Sequence, residues 1–201
     1  KLIEQMFVGA NARVASLVVQ GNPSESILNE AEARSVDLIV LGAIGHSNID
    51  RMLLGSVSDF VATHAHCSVL IVRPTGLQDR GHKELKVCVA YDDSVASENA
   101  VAQLQQFGWG AHTKFDVVNI FTTPQMYTDI PVQFDMEEIR IATLKQAEKA
   151  AVEVRRFGGS ATAHTLDSAH IGEGIIRFAR EHASDLIVMG DTGRGLVTRF
   201  L

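Results

Sequence analysis

The stretch Asp37-Leu38-Ile39-Val40-Leu41-Gly42-Ala43-Ile44-Gly45 decides the fold, because it returns later as Asp185-Leu186-Ile187-Val188-Met189-Gly190-Asp191-Thr192-Gly193. The offset between the two copies is 148 residues (185 − 37). In each copy, a short apolar run of strand length leads into a glycine loop. Apolar runs without polar alternation are typical of strands in a parallel sheet that is covered on both faces. The sequence therefore predicts two related sheets, each with a loop at the end of an inner strand.

Matching residues around these stretches extend the repeat. At the same offset the pairs are Glu25 with Glu173, Ile27 with Ile175, Ala31 with Ala179, and Arg51 with Arg199. A period this long indicates duplicated domains rather than a solenoid of repeats of about 20 to 50 residues. We expect the C-terminal part of a first domain at 1–73, a linker at 74–84 and a second domain without its C-terminal end at 85–201. The chain is thus expected to be truncated at both ends.

Hydrophobic periodicity and turn residues give the elements. Predicted strands lie at 13–20, 37–41, 68–72, 86–91, 115–121, 161–166 and 185–189. Predicted helices lie at 1–12, 26–33, 52–64, 94–107, 137–157 and 173–182, with a loop at 122–131. We expect Ser24 to cap one helix and Ser94 or Asp93 to cap another. This alternation predicts an α/β fold of two doubly wound parallel-sheet domains.

The segment Gly42-x2-Gly45-x9-Gly55-Ser56 lies between a predicted buried strand and a predicted helix. In open parallel sheets, ligands bind beyond the carboxyl ends of the strands. Glycines there let backbone N–H groups approach phosphate oxygens, and a helix N-terminus favours an anion. The pattern is neither the dinucleotide fingerprint nor the Walker loop, since it lacks a Walker lysine. The alternative is that these glycines only make tight turns under a helix.

This spacing resembles the ATP-binding motif of the universal stress protein family. Three flanking segments are also similar to that family: Asp37–Val40, Met52–Val57 and His66–Val72. The resemblance covers nearly the whole chain as a tandem of two family domains. It implies small domains with a fold like that of the adenine-nucleotide alpha hydrolases. It also implies that the two domains pair side by side as an internal pseudo-dimer.

The resemblance also implies site residues. An aspartate at the end of the family's first strand faces the nucleotide, and here it matches Asp92. Asp93 stands where the family usually has glycine, so its carboxylate could either repel phosphates or help to hold a divalent metal. The residues assigned to nucleotide binding are Leu41, Gly42, Gly45, His46, Gly55, Ser56, Val57, Ala90, Tyr91, Asp92, Ile120, Met189, Gly190 and Gly193.

Composition and spacing argue against several other functions. The formal net charge is −6 and no dense Lys/Arg run is present, so nucleic-acid binding is not expected. No apolar run reaches the length of roughly 18 residues that a membrane helix needs. The two cysteines are far apart and favour a reducing, cytoplasmic setting. His64-Ala65-His66-Cys67 resembles a set of metal ligands, but further ligands are not evident, and a helix running into a strand is the simpler interpretation.

We therefore expect an ATP-binding stress-response protein, with Mg or Mn as an optional companion of the nucleotide. No residue set suggests a well-placed general base, so any hydrolysis is expected to be slow and no catalytic residue is assigned. Expected partners are a second copy or the tandem pseudo-dimer, and an unknown protein. The alternative is an interaction scaffold of the same fold that binds no nucleotide. The glycine spacing disfavours a third possibility, an adenylating enzyme or electron-transfer flavoprotein relative.

Overall fold

The computed structural model describes residue 9 and residues 12–43, 55–73, 84–122 and 135–191. The chain divides into two compact units, Lys1–Pro74 and Thr75–Leu201, and each is described by itself. The predicted helix at 1–12, linker at 74–84 and loop at 122–131 lie almost wholly outside the described residues. None of the described helices combines the length and the apolar character that crossing a membrane requires.

Within its described residues, the first unit has two helices and two paired strands. Its elements are α1 (Pro23–Ala33), β1 (Leu38–Gly42), α2 (Ser56–His64) and β2 (Ser68–Val72). The strands are parallel, with Leu38 opposite Ser68 at one end and Gly42 opposite Val72 at the other. Ile39 of β1 and Val61 of α2 are both buried. The two apolar runs therefore form the predicted parallel pair.

The cap of α1 differs from the prediction. Asn22, not Ser24, is the N-cap, and its Oδ1 accepts hydrogen bonds from the backbone N–H groups of Ser24 and Glu25. Pro23 then occupies the first helical position, where a missing N–H costs nothing and the fixed φ suits a helix. The helix therefore begins three residues earlier than the pattern of apolar residues had indicated.

The strand predicted at 13–20 is wrong. Residues 12–20 belong to no strand, and Val18 is 98% exposed. β-branched residues favour a strand through packing on neighbouring strands rather than through the backbone itself. In the described part of the first unit, the sheet consists of β1 and β2 alone, and this segment pairs with neither. The composition of 13–20 was therefore not enough to make it a strand.

The second unit follows a regular strand–helix alternation. Its elements are β3 (Lys86–Ala90), α3 (Val95–Leu104), β4 (Lys114–Phe121), α4 (Met136–Arg155), β5 (Ser160–Asp167), α5 (Ile171–Glu181) and β6 (Leu186–Val188). All pairings are parallel, and the strand order is β5-β4-β3-β6. This confirms the predicted α/β parallel sheet, with element ends that differ from the predicted ones by at most three residues.

The sheet of the second unit is buried on both faces, as its apolar strands predict. On the face packed by α3 and α4, Val87, Val89 and Phe115 join alanines of α4 in one core. On the other face, Cys88 and Val118 pack against α5. Alternate strand residues point to opposite faces, so both sets must be apolar. Full burial of a valine side chain contributes roughly 1.5–3 kcal/mol relative to exposure, so these strands supply much of the stability.

Helix α4 crosses the sheet and makes polar contacts with β5, with β4 and with the turn that follows β3. Thr143 Oγ1 lies 2.8 Å from Thr165 Oγ1 of β5. Gln146 Oε1 accepts a 2.9 Å hydrogen bond from Asn119 Nδ2 of β4. Lys149 Nζ reaches Asp93, just beyond β3, at 3.0 Å. The helix residues are spaced by three, so they share one face.

Candidate functional site

The strand order creates a switch point between β3 and β6. From β3 the chain proceeds through β4 to β5 on one side, and β6 then pairs on the other side of β3. Ligand sites in open parallel sheets lie outside the carboxyl ends of the strands at such a point. Asp92 follows β3 there, and Gly190 follows β6. The topology thus brings together two of the residues that the sequence predicted for the second unit.

Asp92 begins a short hydrogen-bonded turn that leads into α3. Its Oδ1 accepts a 3.1 Å hydrogen bond from Ser94 N–H, and its own N–H donates to Ser97 Oγ at 3.4 Å. Ser97 is buried, and its hydroxyl donates to the Ser94 carbonyl. Partial burial raises the pKa of Asp92, but hydrogen bonds from Ser94 and Ser97 outweigh it, so the pKa is lowered overall. The Asp92 carboxylate is therefore a fixed anion at neutral pH.

Asp93 has its own set of partners. Its φ is 62°, in the left-handed region that aspartate tolerates better than most residues. Its Oδ1 accepts from Tyr91 Oη at 2.9 Å and from Lys149 Nζ at 3.0 Å. The bond from Lys149 and then that from Tyr91 lower the pKa of Asp93. Asp93 is thus an anion that is already paired within the protein.

Tyr91 and Lys149 complete this arrangement. Tyr91 is buried, and burial together with the bond to Asp93 raises its pKa to about 12, so its hydroxyl remains a donor. Lys149 Nζ also contacts Glu98 Oε1 at 3.3 Å, and bonds to Asp93 and Glu98 raise the pKa of Lys149. Sequence reasoning missed Lys149, Ser97 and Glu98. No local signal marks Lys149, since only the packing of α4 brings it to Asp93.

The glycine after β6 is required by packing. A Cβ on Gly190 would lie 2.3 Å from the carbonyl carbon and oxygen of Ala96. The end of β6 can approach the first turn of α3 so closely only with glycine at this position. Met189, the residue before it, is 60% exposed. Gly193, also predicted for this site, lies outside the described residues.

Ala90 and Ile120 lie nearer the core. Ala90 ends β3 and is half-buried. Ile120 is buried near the end of β4, on the sheet face that packs against α5. A Cβ on Gly174 of α5 would lie 3.0 Å from Ile120 Cγ2, so that glycine keeps the helix close to Ile120. Ile120 is therefore part of the core below this edge of the sheet, and its side chain is not exposed to a ligand.

In the first unit, the structure describes the two ends of the predicted glycine segment but not its middle. Leu41 and Gly42 end β1, and a Cβ on Gly42 would meet no described atom within 4 Å. Gly55 is the N-cap of α2, and its carbonyl accepts from the Ser58 hydroxyl. Ser56 is exposed and Val57 half-buried in the first turn.

The crossover between β1 and β2 explains why these two ends belong to one region. Because β1 and β2 are parallel, the N-terminus of the intervening α2 lies at the carboxyl end of β1. The segment from 42 to 57 therefore starts and finishes at that end of the unit. Gly45 and His46 lie outside the described residues.

His64, one of the histidines considered as metal ligands, has other contacts. His64 Nδ1 lies 2.8 Å from the Phe60 carbonyl, and the two rings stack with centroids 4.0 Å apart. Burial is the main cause of the raised pKa of Cys67, which disfavours a thiolate ligand. Across the described ranges, no three His, Cys, Asp or Glu side chains converge as metal ligands would.

A cavity of about 400 Å³ lies elsewhere in the second unit. It is lined by Leu85, Phe107, Gly108, Trp109, Gly110, His112 and Thr113. Leu85 and Thr113 immediately precede β3 and β4, so the cavity lies at the amino ends of the strands. It is therefore at the opposite end of the sheet from Asp92 and Gly190.

Comparison with known proteins agrees with this architecture. The sequence model of the universal stress protein family matches residues 4–73 and 85–201. A crystal structure of a universal stress protein from Archaeoglobus fulgidus superposes with a TM-score of 0.61 and 19% identity, and the match covers 92% of this chain and 61% of that one. At this identity the likeness shows the fold alone.

Individual relatives match over shorter segments. A universal stress protein of Methanocaldococcus jannaschii is 36% identical over 73 residues, which are 36% of this chain and 43% of the relative. One from Bacillus subtilis is 45% identical over 58 residues, which are 29% of this chain and 39% of the relative. The chain thus spans less than half the length of these two relatives. Since the family match covers both units, this chain belongs to the universal stress protein family.

Proposed function

We propose that this chain is an ATP-binding regulatory or interaction module of the stress response, with at most slow hydrolysis. The observation that carries the proposal is the Asp92 carboxylate, held as an anion at the switch point between β3 and β6. A carboxylate at this position in a parallel sheet is suited to accept hydrogen bonds from ribose hydroxyls. The exposed Met189 side chain, directly after the neighbouring strand β6, offers apolar surface to a base.

The first unit supports the proposal through its own glycine segment. The first N–H groups of a helix have no intrahelical partner, and together with the helix dipole they favour an anion. Gly55, Ser56 and Val57 present such groups at the start of α2, and Ser56 adds an exposed hydroxyl. These donors suit a phosphate.

The described residues supply no set suited to a resident metal. Mg or Mn remains a proposed optional companion of the nucleotide, held mainly by its phosphates. A second copy, the tandem pseudo-dimer and a further protein remain proposed partners, and a cytoplasmic location remains a prediction. The pairing of the two units and the boundaries 1–73, 74–84 and 85–201 are also proposals.

Replacement of Asp92 tests the nucleotide proposal. Asp92→Asn is expected to weaken ATP binding by about tenfold or more, since a hydrogen bond to a charged group contributes roughly 1.5–3 kcal/mol. Calorimetric titration of the full chain measures this. Asp37→Asn is the matched control, because Asp37 is exposed and precedes β1 at the amino end of that strand. Equal affinity in both variants, or no heat with the unaltered chain, would contradict the proposal.

One observation favours the scaffold as the second candidate. The close approach of Ala96 fully accounts for Gly190, so this glycine is needed whether or not a phosphate binds nearby. A chain that keeps its fold and its oligomeric state but gives no signal with ATP, ADP or AMP would support the scaffold.

A further inference from the structure

Two adjacent carboxylates stand where the proposed site would receive a polyanion. Asp92 and Asp93 are both exposed neighbours in the chain. The hydrogen bond from Lys149 lowers the pKa of Asp93, and the negative charge of Asp92 acts against it by repulsion. A nucleotide polyphosphate brings several further negative charges to the same edge of the sheet. Carboxylates beside phosphates disfavour binding unless a cation offsets them.

Lys149 supplies that cation to Asp93. Its Nζ lies 3.0 Å from Asp93 Oδ1, the oxygen that also accepts from Tyr91. The neighbouring residues Ala147 and Ala150 are buried in the core under α4, so the helix that carries Lys149 is fixed on the sheet. The lysine therefore reaches the Asp93 turn from a rigid element.

We propose that Lys149 is a positioning residue of the nucleotide site: it neutralises Asp93 and holds the left-handed turn, so that Asp92 alone faces the ligand as an anion. This inference rests on the proposed function, because it concerns how the same site tolerates phosphate. It also decides between the two roles that the sequence left open for Asp93. Asp93 acts as the internal partner of Lys149 and Tyr91, and it neither repels the phosphates nor holds a metal.

A purely structural role for Lys149 predicts a different dependence of binding on the charge of the ligand. If the lysine only tied α4 to α3 through Glu98, its loss would weaken the binding of every ligand equally. If it neutralises Asp93, its loss exposes one negative charge, and the effect grows with the number of phosphates on the ligand. Salt screens such an effect over a distance of about 8 Å at physiological ionic strength, so the effect also grows as salt is lowered.

The test compares ATP with adenosine by calorimetric titration of the full chain. Lys149→Met is expected to weaken ATP binding roughly threefold at about 0.15 M salt and more at lower salt, and to leave adenosine binding unchanged. Lys145→Met, one turn earlier on the exposed side of α4, removes the same charge and is the control. The double variant Asp93→Asn/Lys149→Met is expected to regain the ATP affinity of the unaltered chain.

Two further variants keep the inference testable if Lys149→Met folds poorly. Lys149→Arg retains the charge and is expected to bind ATP normally. Asp93→Asn alone is expected to bind ATP more tightly, by a factor that shrinks as salt is added. The inference is overturned if Lys149→Met matches Lys145→Met, or if ATP and adenosine lose affinity equally and Asp93→Asn restores neither. An unaltered chain that binds no adenine nucleotide overturns the proposed function together with this inference.

Discussion

At the scale of single residues, the two glycines related by the repeat differ in the described atoms that surround them. Gly42 and Gly190 occupy the same position in their copies of the strand. A Cβ on Gly190 would collide with the backbone of Ala96, whereas one on Gly42 would meet no described atom within 4 Å. Among the described atoms, packing therefore explains the glycine at position 190, and no such contact is found at position 42.

This difference predicts unequal costs of adding one methyl group. Gly190→Ala should destabilise the chain by about 1–3 kcal/mol, because overpacking forces the backbone to move. Gly42→Ala should change the free energy of unfolding by less, at most about 0.5 kcal/mol, because no described atom lies within 4 Å of the added methyl group. Urea unfolding followed by circular dichroism measures both. Similar losses in the two variants would show that the approach of β6 to α3 is less tight than described.

At the scale of elements, helix starts depend on side chains that satisfy exposed N–H groups. Ser94 caps α3 by accepting from Ser97 N–H at 3.2 Å, and Asp135 caps α4 by accepting from Glu137 and Glu138. Ser94 also donates its N–H to Asp92. The same residue, Ser94, therefore both caps α3 and holds the Asp92 carboxylate in place.

Removing the cap of α3 tests this link. Ser94→Ala should cost about 1 kcal/mol of stability, the usual penalty for losing an N-cap side chain. Val95→Ala is the control, because Val95 is the next residue and its side chain is 73% exposed. Chemical denaturation of both variants provides the comparison. An equal shift of the midpoint in the two variants would argue against a capping role for the Ser94 hydroxyl.

The same scale shows what could be predicted from sequence. The strands of the second unit were predictable, because burial on both faces requires apolar runs such as Val87 to Val89. The cap at Ser94 follows a local rule, and so does the cap at Asn22, which precedes a proline. The prediction of Ser24 as the cap is wrong because Ser24 already lies inside the helix that begins at Pro23. The prediction of a strand at 13–20 failed because it rested on composition, and a strand also needs a neighbouring strand with which to pair. Lys149 was unpredictable, since its partner Asp93 is distant in sequence and meets it only after α4 packs.

At the scale of the whole molecule, the shifted pKa values define a pH range of maximal stability. The pKa values of Asp92, Asp93, Glu84 and Glu137 are lowered from ordinary values of 3.8 or 4.5. A lowered carboxyl pKa contributes stability above the ordinary value, and that stability is lost as pH falls through the lowered one. Burial raises the pKa of Cys88 from 9.0 to about 12. A raised thiol pKa contributes stability below 9.0 that is lost as pH rises towards 12.

We therefore expect the urea midpoint to be nearly flat between about pH 5 and 8 and to fall on both sides. Cys88→Ala should lower the midpoint at neutral pH by leaving a cavity, yet it should make the decline between pH 9 and 12 less steep. Part of that decline should persist, because the pKa values of Tyr91 and Lys149 are also raised. Denaturation series at several pH values measure both effects. A variant whose alkaline decline is as steep as that of the unaltered chain would show that another group causes it.

The three polar contacts of α4 have a consequence for how its sequence can change. A helix resting on apolar side chains alone can slide or rotate by small amounts at little cost. Thr143 contacts β5, Gln146 contacts β4, and Lys149 contacts Asp93 in the turn after β3, so a shift by even one residue would break all three contacts together. Together these three contacts fix the position of the helix along its own axis. A redesigned α4 that keeps its apolar face but replaces Thr143, Gln146 and Lys149 should therefore pack on the sheet in more than one position.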